Sequence, residues 1–299
     1  MNERYVVAGS SGLIGQVLVD SLQSDGADVV RLVRRPVRAA DEVEWLRDFA
    51  PLDPAVLAGA RAVINLCGAS IGRLPWTPAY ATQLRRSRIR PTRVLADALR
   101  ALGGAAPHFV SASAVGFYGN QPGAQLDESA RQGDTYLAWL CAQWEAAALL
   151  AGPDARVTLL RTAPLVHACG VLKPLIALTK AGVSGPLGSG TQLMPWISLR
   201  DEVGAIRHVI DRKLTGPVNL SGPTTATSND LGRALATRLR RPYVLRAPKW
   251  GLRLALGRRA ADSLLLADAA VPPVRLLESG FEFAHPTVQA AVAAAVPQR

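Results

Sequence analysis

The chain is poor in the residues that build disulfide frameworks, metal sites and membrane spans. Its 299 residues include three cysteines and four histidines, scattered without the spacing of a disulfide pattern or a metal site. Although 49% of the residues are hydrophobic, no uninterrupted apolar stretch approaches the roughly 18 residues needed to cross a bilayer. The N-terminus lacks the apolar middle region of a signal peptide. We therefore expect no metal, no membrane partner and a cytoplasmic location.

Aromatic residues are also few, at 5%, whereas positive charge is in excess. The 34 lysines and arginines outnumber the 23 aspartates and glutamates, so the formal net charge is +11. Such an excess can attract nucleic acid or other anions. However, the arginines are spread along the chain and no nucleic-acid-binding module is recognisable. A general bias toward arginine and alanine explains the charge better, so nucleic acid is not an expected partner.

The most informative stretch lies near the N-terminus, where a β-branched apolar run is followed by regularly spaced glycines. Residues 5–8 read as a strand, Gly9, Gly12 and Gly15 punctuate the turn, and a helix-patterned segment continues to about Leu22. In a dinucleotide-binding unit such glycines allow a sharp turn, a bare backbone and close helix–strand packing, and the helix N-terminus receives the pyrophosphate. Ordinary loops also contain three glycines in seven residues, but the position between strand and helix favours cofactor binding.

The second strand indicates which dinucleotide is bound. Residues 28–33 read as a strand, and Arg34 and Arg35 follow it directly. An acidic residue at this point binds the ribose 2′-hydroxyl of NAD, whereas a guanidinium suits the 2′-phosphate of NADP. A solvated turn in an arginine-rich chain would show the same residues, but the preceding glycine loop favours NADP as the cofactor.

The next part of the chain alternates between short apolar strands and longer helical segments. Strands are expected at 61–66, 108–111 and 156–161, and helices at about 78–102 and 136–150. This alternation predicts an α/β fold with a Rossmann-like, doubly wound, mostly parallel sheet. In that architecture ligands bind at the carboxyl ends of the strands.

Beyond about residue 165 the pattern changes, because strands become rare and proline breaks divide short helices. A glycine-rich loop spans 182–190, and a short strand is expected at 218–220. We therefore divide the chain into a Rossmann domain with substrate-loop insertions at 1–228 and a small, mainly helical C-terminal lobe at 229–299. The lobe is expected to cover a small-molecule substrate.

Further short motifs are spread along nearly the whole chain. They are Asn65-Leu66-Cys67-Gly68, Trp76-Thr77, Ser87-Arg88, Ser113 to Gly119, Asp127-Glu128, Trp144-Glu145, Gly188-x-Gly190-x-Gln192 and Pro195-Trp196-Ile197. With the glycine loop they resemble the extended short-chain dehydrogenase/reductase superfamily, and within it an atypical branch of nucleoside-diphosphate-sugar epimerases. The resemblance implies an NADP-binding oxidoreductase or epimerase-like enzyme for a small polar substrate such as a nucleotide sugar.

The resemblance also implies a set of residues in contact with the cofactor. They are Gly9, Ser10, Ser11, Gly12, Leu13, Ile14, Arg34, Arg35, Leu66, Cys67, Gly68, Gln83, Arg88 and Leu165. A structural role competes at three of these positions. Leu66 and Leu165 also fit the core, and Arg88 also fits a solvated helix face.

The catalytic pair usual in this superfamily is absent. A Tyr-x-x-x-Lys helix motif normally lets the lysine depress the pKa of the tyrosine. Here the tyrosine slot holds Leu137 and the lysine slot holds Cys141. Ser198 likewise stands where relatives commonly have histidine. The alternative function is therefore a catalytically impaired sensor or scaffold that binds NADP without turnover.

Two other residues are candidates for a catalytic role. Ser113 matches the superfamily's substrate-orienting serine, although a serine at a strand end is often a local cap. Tyr118 lies in a turn where relatives place an aromatic residue near the substrate, and packing or stacking is favoured over proton donation. Tyr136 is a poor substitute for the missing tyrosine, because one position rotates it by about 100° around a helix. In the lysine slot, Cys141 should face the nicotinamide ribose.

Overall fold

A parallel sheet of seven strands forms the centre of the computed structural model, which describes residues 3–47, 50–170 and 172–297. The sheet consists of β1 (Arg4–Ala8), β2 (Asp28–Val33), β3 (Glu42–Glu44), β4 (Ala62–Asn65), β5 (His108–Ala114), β6 (Val157–Thr162) and β9 (Gly216–Leu220). Two further strands, β7 (Leu165–Val166) and β8 (Ile197–Ser198), pair with each other in parallel. The order in the large sheet is β3-β2-β1-β4-β5-β6-β9, so the direction of winding reverses between β1 and β4. A doubly wound sheet binds its ligand at such a reversal.

Helices cover both faces of the sheet. They are α1 (Leu13–Ser24), α2 (Pro78–Leu102), α3 (Tyr136–Leu149), α4 (Leu172–Lys180), α5 (Leu199–Asp211), α6 (Ser228–Leu239), α7 (Lys249–Leu256), α8 (Arg258–Leu264), α9 (Val274–Glu278) and α10 (Val288–Ala295). Short 3₁₀ turns lie at Pro54–Val56, Gly103–Ala105 and Val115–Tyr118. On one face, Leu18 of α1 and Ile206 of α5 are buried against the strands. On the other face, Leu95 of α2 and Ala148 of α3 are buried in the same way.

Local sequence signals explain the ends of the longest helix, α2. The Thr77 hydroxyl accepts a hydrogen bond from the Tyr80 amide at 3.2 Å, and Pro78 occupies the first helical position, where it needs no amide proton. Gly103 ends the helix with a φ of 52°, which a residue without a Cβ adopts at no steric cost. The helix therefore begins and ends where it must to run alongside the sheet.

The predicted fold class is confirmed, and the bounds of β2 and α2 match the prediction. β5 runs three residues beyond the predicted end, to Ala114. β3 was not predicted, because this three-residue strand contains two glutamates and shows no apolar run. No helix within the described ranges is long and apolar enough to cross a membrane.

The two predicted domains are joined by a strap at 268–272, which returns from the C-terminal lobe to the sheet. The Gln121 amide donates to Asp268 at 2.9 Å, and the Leu126 amide donates to Ala270 at 2.8 Å. The Ser221 hydroxyl, just after β9, donates to the Val271 carbonyl at 2.7 Å. The strap therefore satisfies polar groups that belong to the predicted first domain.

Candidate cofactor and substrate site

The glycine loop after β1 is shaped by close backbone contacts. Gly9 has a φ of 86°, and a Cβ at this position would lie 2.7 Å from the Leu66 carbonyl carbon at the end of β4. A Cβ at Gly15 would overlap the Gly9 carbonyl, so α1 can approach the turn only without a side chain there. Gly12 is exposed, and its amide donates to the Gly9 carbonyl at 3.0 Å. Gly9 therefore allows the turn and Gly15 the close packing of α1, as predicted, whereas the approach of a pyrophosphate to Gly12 stays a prediction.

The N-terminus of α1 is open to an anion. Gly12 is the N-cap and offers no side-chain acceptor to the first amides, and the first turn contains no acidic residue. Ser11 is exposed, whereas Ser10, Leu13 and Ile14 are half-buried around the turn. Free amide protons and the positive end of the helix dipole suit a pyrophosphate. The residues present therefore fit the phosphates of a dinucleotide.

The two arginines after β2 differ in their surroundings. The Arg35 guanidinium donates to both carboxylate oxygens of Glu42, at 2.7 and 2.8 Å. This fork, with a hydrogen bond from the Arg38 amide, lowers the pKa of Glu42 to about 2. Arg34 is exposed and forms no ion pair within the described part of the chain, and its charge acts on Cys67. The guanidinium of Arg34 is thus available to a ligand, whereas that of Arg35 is bound to Glu42 of β3.

The turn after β4 lies directly opposite the glycine loop. The Leu66 amide donates to the Ala8 carbonyl at 2.8 Å, and the Cys67 amide donates to the Asn65 side chain at 3.2 Å. Burial raises the pKa of the Cys67 thiol to about 12, although the charge of Arg34 opposes this shift. The thiol therefore stays neutral and suits a wall of the cleft, not a nucleophile.

Arg88 carries a buried positive charge beside this turn. Its Nη2 donates to the Ala69 carbonyl at 3.1 Å, its Nη1 donates to the Leu84 carbonyl at 3.1 Å, and its guanidinium lies 5.1 Å from the Trp144 ring centre. A Cβ on Gly68 would be 3.2 Å from the guanidinium carbon. Burial lowers the pKa of Arg88, and no described carboxylate forms an ion pair with it. The alternative of a solvated helix charge is wrong, because Arg88 is only 9% exposed.

The last two residues of the implied cofactor set are less distinctive. Gln83 is exposed on α2. Leu165, in β7, is half-buried against the main core and pairs in register with Ile197 of β8. The competing structural role of Leu165 is therefore visible directly, whereas contact of either residue with a cofactor stays a prediction.

The candidate catalytic serine belongs to a buried ionic cluster between β5, β6 and α3. The Ser113 hydroxyl donates to Glu145 Oε1 at 2.7 Å. The Arg161 guanidinium binds the same carboxylate through two hydrogen bonds of 2.9 Å. Since all three residues are buried, this placement favours a structural role for Ser113. Arg161 was missed by the sequence analysis, because an arginine at a strand end reads as a solvated residue.

Tyr118 is fully buried in the same cluster. Its hydroxyl donates to Asn219 Oδ1 at 2.7 Å and accepts from Arg161 Nη1 at 2.9 Å. Burial raises the pKa of Tyr118 to about 12, despite the opposing charge of Arg161. The placement agrees with the packed tyrosine that the sequence favoured over a proton donor.

Leu137 and Cys141, which occupy the positions of the usual catalytic tyrosine and lysine, lie together next to the turn that follows β5. A Cβ on Gly116 would be 3.2 Å from the Leu137 Cβ and 3.9 Å from the Cys141 Sγ. Burial raises the pKa of Cys141 to about 12, and the charge of Arg88 opposes the shift. Arg88 is therefore a cation that acts on the position where a lysine would normally stand.

Ser198 caps α5 and holds the C-terminal lobe. Its hydroxyl accepts from the Asp201 amide at 3.0 Å and donates to Asp201 Oδ2 at 2.7 Å. His285 Nδ1 lies 2.9 Å from the same hydroxyl, and the His285 amide donates to Asp201 at 3.1 Å. The imidazole of His285, from the lobe, thus lies against the side chain at position 198, in a cluster that is largely buried.

A carboxyl that the sequence analysis missed lies next to this cap. Glu202 has no exposed surface, and its Oε1 accepts from the Thr162 hydroxyl at 2.8 Å. Oε2 has no hydrogen-bond partner among the described residues. Burial raises the pKa of Glu202 to about 8, so the carboxyl is neutral at pH 7. The sequence analysis missed Glu202 because two acidic residues in the first turn of a helix, here Asp201 and Glu202, are usually interpreted as ordinary capping.

The fold, together with the glycine loop and the open N-terminus of α1, defines a Rossmann-type, dinucleotide-binding protein. More particularly, the chain belongs to the NAD dependent epimerase/dehydratase family, whose sequence model matches residues 5–221. A domain of unknown function, DUF1731, matches residues 247–295. The resemblance stated from the sequence is therefore confirmed.

Relatives and solved structures match over most of the chain. An epimerase family protein of Mycobacterium tuberculosis is 40% identical over 290 residues, which cover 96% of this chain and 95% of that protein. The crystal structure of human epimerase family protein SDR39U1 with NADPH has a TM-score of 0.87 at 26% identity and covers 98% of both chains. A nucleoside-diphosphate sugar epimerase from Corynebacterium glutamicum has a TM-score of 0.79 at 27% identity, over 99% of this chain and 58% of that one.

Proposed function

We propose that this chain is an NADP-dependent, epimerase-like oxidoreductase for a small polar substrate, such as a nucleotide-linked sugar. The observation that carries the proposal is Arg34, which is exposed and has no ion pair among the described residues, at the end of β2 next to β1, the strand that leads to the open N-terminus of α1. Guanidinium binds phosphate oxygens in a fork, and Arg34 stands where a 2′-phosphate distinguishes NADP from NAD. The NADPH bound to human SDR39U1, which is similar over 98% of the chain, supports the same cofactor.

Arg88 supports a second contact with the cofactor, away from its 2′-phosphate. A buried cation without a carboxylate partner costs free energy, so an electron-rich group from a ligand is its natural complement. Arg88 lies beside Gly68 and acts on Cys141, which occupies the lysine slot. We assign to Arg88 the task of orienting the cofactor's ribose–pyrophosphate portion, which NAD and NADP share. The bound nicotinamide would supply hydride transfer.

The proposal is tested by separating the two arginines after β2. Arg34→Gln should weaken NADP binding by about 10- to 100-fold, because a charge-assisted hydrogen bond contributes about 1.5–3 kcal/mol. NAD binding should hardly change, since NAD has no 2′-phosphate. Both affinities are measured by calorimetric titration. Arg35→Gln is the matched control: because Glu42 holds this guanidinium, its loss should affect NADP much less. Equal weakening of NADP and NAD by Arg34→Gln would rule out the assignment.

A second candidate function is an NADP-binding sensor that has lost catalysis. It is favoured by the buried Leu137 and the neutral Cys141 in the slots of the usual catalytic pair. Neither side chain can donate a proton to a substrate or hold a ribose as an ammonium would. Tight NADP binding without any change in nicotinamide absorbance, across a broad panel of sugar nucleotides, would favour the sensor. Substrate-dependent absorbance change would favour the enzyme.

A further inference from the structure

Positive charge is concentrated in one part of the C-terminal lobe. The segment 231–261 contains nine lysines and arginines and no aspartate or glutamate, in a chain whose net charge is +11. Eight of the nine are exposed: Arg233, Arg240, Arg241, Arg246, Lys249, Arg253, Arg258 and Arg259. Asp262 pairs with two of them, Arg253 and Arg258. Asp230, at the other edge of the segment, interacts electrostatically with Arg233. The other exposed cations, Arg240, Arg241, Arg246, Lys249 and Arg259, form no ion pair within the described part of the chain.

Apolar side chains are exposed in the same segment. Trp250 and Leu254 are 72% and 82% exposed and lie four residues apart, so they share one face of α7. Val244 and Leu245, just before α7, are also exposed, and the Ser184 carbonyl accepts hydrogen bonds from both of their amides. These four side chains, with the exposed cations of 231–261, are called the basic–apolar surface below.

The exposed face of α7 needs an explanation because this helix has no buried residue. A helix of eight residues is only marginally stable by itself and gains little when its apolar side chains stay in water. Contiguous exposed apolar side chains usually mark a surface that binds something. A partner that covers Trp250 and Leu254 would supply the burial that the lobe does not.

The charge of the basic–apolar surface decides between partners. A second copy of the chain would bring like charges together, which repel. RNA would pair with the arginines but would leave Leu254, Val244 and Leu245 in water. An anionic bilayer meets both requirements, because tryptophan and aliphatic side chains enter the interface while lysine and arginine reach the lipid phosphates. We propose that the basic–apolar surface docks on an anionic membrane, lying on it and not spanning it, although the sequence, which lacks a membrane-spanning stretch, predicted no membrane partner.

Vesicle flotation tests this docking. The full chain should float with phosphatidylglycerol-containing vesicles at low salt, and binding should fall sharply with pure phosphatidylcholine vesicles or at high ionic strength. The double variant Trp250→Ser/Leu254→Ser should bind the anionic vesicles at least about tenfold more weakly, since two apolar anchors are lost. Leu149→Ser, on an exposed leucine of α3 outside this surface, is the matched control and should bind as the unmodified chain does.

Three results would overturn the proposal: no flotation with anionic vesicles, equal flotation of the double variant, or a stronger preference for a single-stranded RNA that competes with the vesicles. NADP affinity, measured on the same variants, checks that they fold. It also separates this proposal from the proposed function, because none of the altered residues is among those expected to contact the cofactor. Weak NADP binding by the unmodified chain would weaken the proposed function and leave the membrane proposal intact.

Discussion

At the scale of single residues, Tyr118 shows how a motif can mark the core instead of the chemistry. Its hydroxyl is the only polar atom of the side chain, and it is shared between Asn219 and Arg161 inside the protein. A proton donor must reach the substrate, whereas this hydroxyl has no exposed surface. The tyrosine therefore acts as a structural link between β6, β9 and the turn after β5.

Tyr118→Phe should lower the free energy of unfolding by about 1–3 kcal/mol, because it leaves the partners of the hydroxyl buried and unpaired. NADP affinity should stay the same. Urea unfolding and a cofactor titration measure the two effects. Tyr136→Phe is a suitable control, since it removes a partly buried hydroxyl that bonds only the Ala81 carbonyl, and it should cost less. Loss of turnover with unchanged stability in Tyr118→Phe would return this residue to the catalytic role.

At the scale of elements, Gly9 in the loop between β1 and α1 is required for two reasons: its left-handed backbone conformation and its close contact with Leu66. Gly26, after α1, shares only the first. Gly9 and Gly26 have similar left-handed backbones, with φ of 86° and 80°. A Cβ on Gly26 would meet nothing within 4 Å, whereas one on Gly9 would press against Leu66. The pair therefore separates the cost of conformation from the cost of contact.

Gly26→Ala should cost about 1–2 kcal/mol of stability, the price of a left-handed alanine, and should leave NADP binding unchanged. Gly9→Ala should cost more and should weaken NADP binding, because the loop must move away from the end of β4. Thermal or urea unfolding and a cofactor titration measure both variants. If Gly9→Ala loses no more stability than Gly26→Ala and binds NADP normally, the close contact with Leu66 does not shape the cradle.

The sequence predicts elements well where local signals are strong. The proline and threonine at the start of α2 and the β-branched run of β2 define those elements without help from the fold. It predicts side-chain direction poorly in β5, because residues 108–111 are buried in succession and the polar residues of this strand, His108, Ser111 and Ser113, are buried too, so polarity does not mark an exposed face. Ser113 could therefore be placed at the carboxyl end of the sheet but not on the face that holds Glu145.

The same limit applies to the cofactor residues. The glycine spacing predicts the loop because Gly12 and Gly15 lie against the backbone of Gly9 and Ser10, a few residues away in sequence, whereas the contact of Gly9 with Leu66 arises only in the fold. Arg35 is bound by Glu42 whereas Arg34 is not, and Glu42 lies in a strand that has no apolar pattern. Pairing with a residue of an unpredicted strand is invisible before the chain is folded.

At the scale of the whole molecule, the neutral Glu202 makes stability depend on pH. Its pKa is about 8 in the folded chain against an ordinary glutamate value of 4.5, so folding takes up a proton between these limits. Stability from this group is therefore greatest below about pH 4.5 and is lost as pH rises toward 8. The cause is burial in the first turn of α5, where Thr162 is the one described residue that donates to the carboxyl.

Glu202→Gln should remove this dependence, because an amide keeps the acceptor for Thr162 and never ionises. The variant should be more stable than the unmodified chain at pH 8 by about 4 kcal/mol, because the two pKa values differ by about 3.5 units at 1.36 kcal/mol per unit, and within about 1 kcal/mol of it near pH 5. Urea unfolding at several pH values measures the difference. Glu282→Gln, at an exposed glutamate, is the control and should change little. A stability difference that does not vary with pH would contradict the buried, protonated carboxyl.

The strap at 268–272 has a consequence for the order in which the chain is made. A nascent chain that has reached residue 228 already contains every strand of the large sheet, but Leu126 and Ser221 still wait for partners. Those partners leave the ribosome only after α8 has been synthesised. Domains commonly fold as units during synthesis, but these polar groups of the first part gain their native partners only when residues 268–272 have been made. The strap therefore completes the hydrogen bonding of the first part from the last portion of the chain to be synthesised.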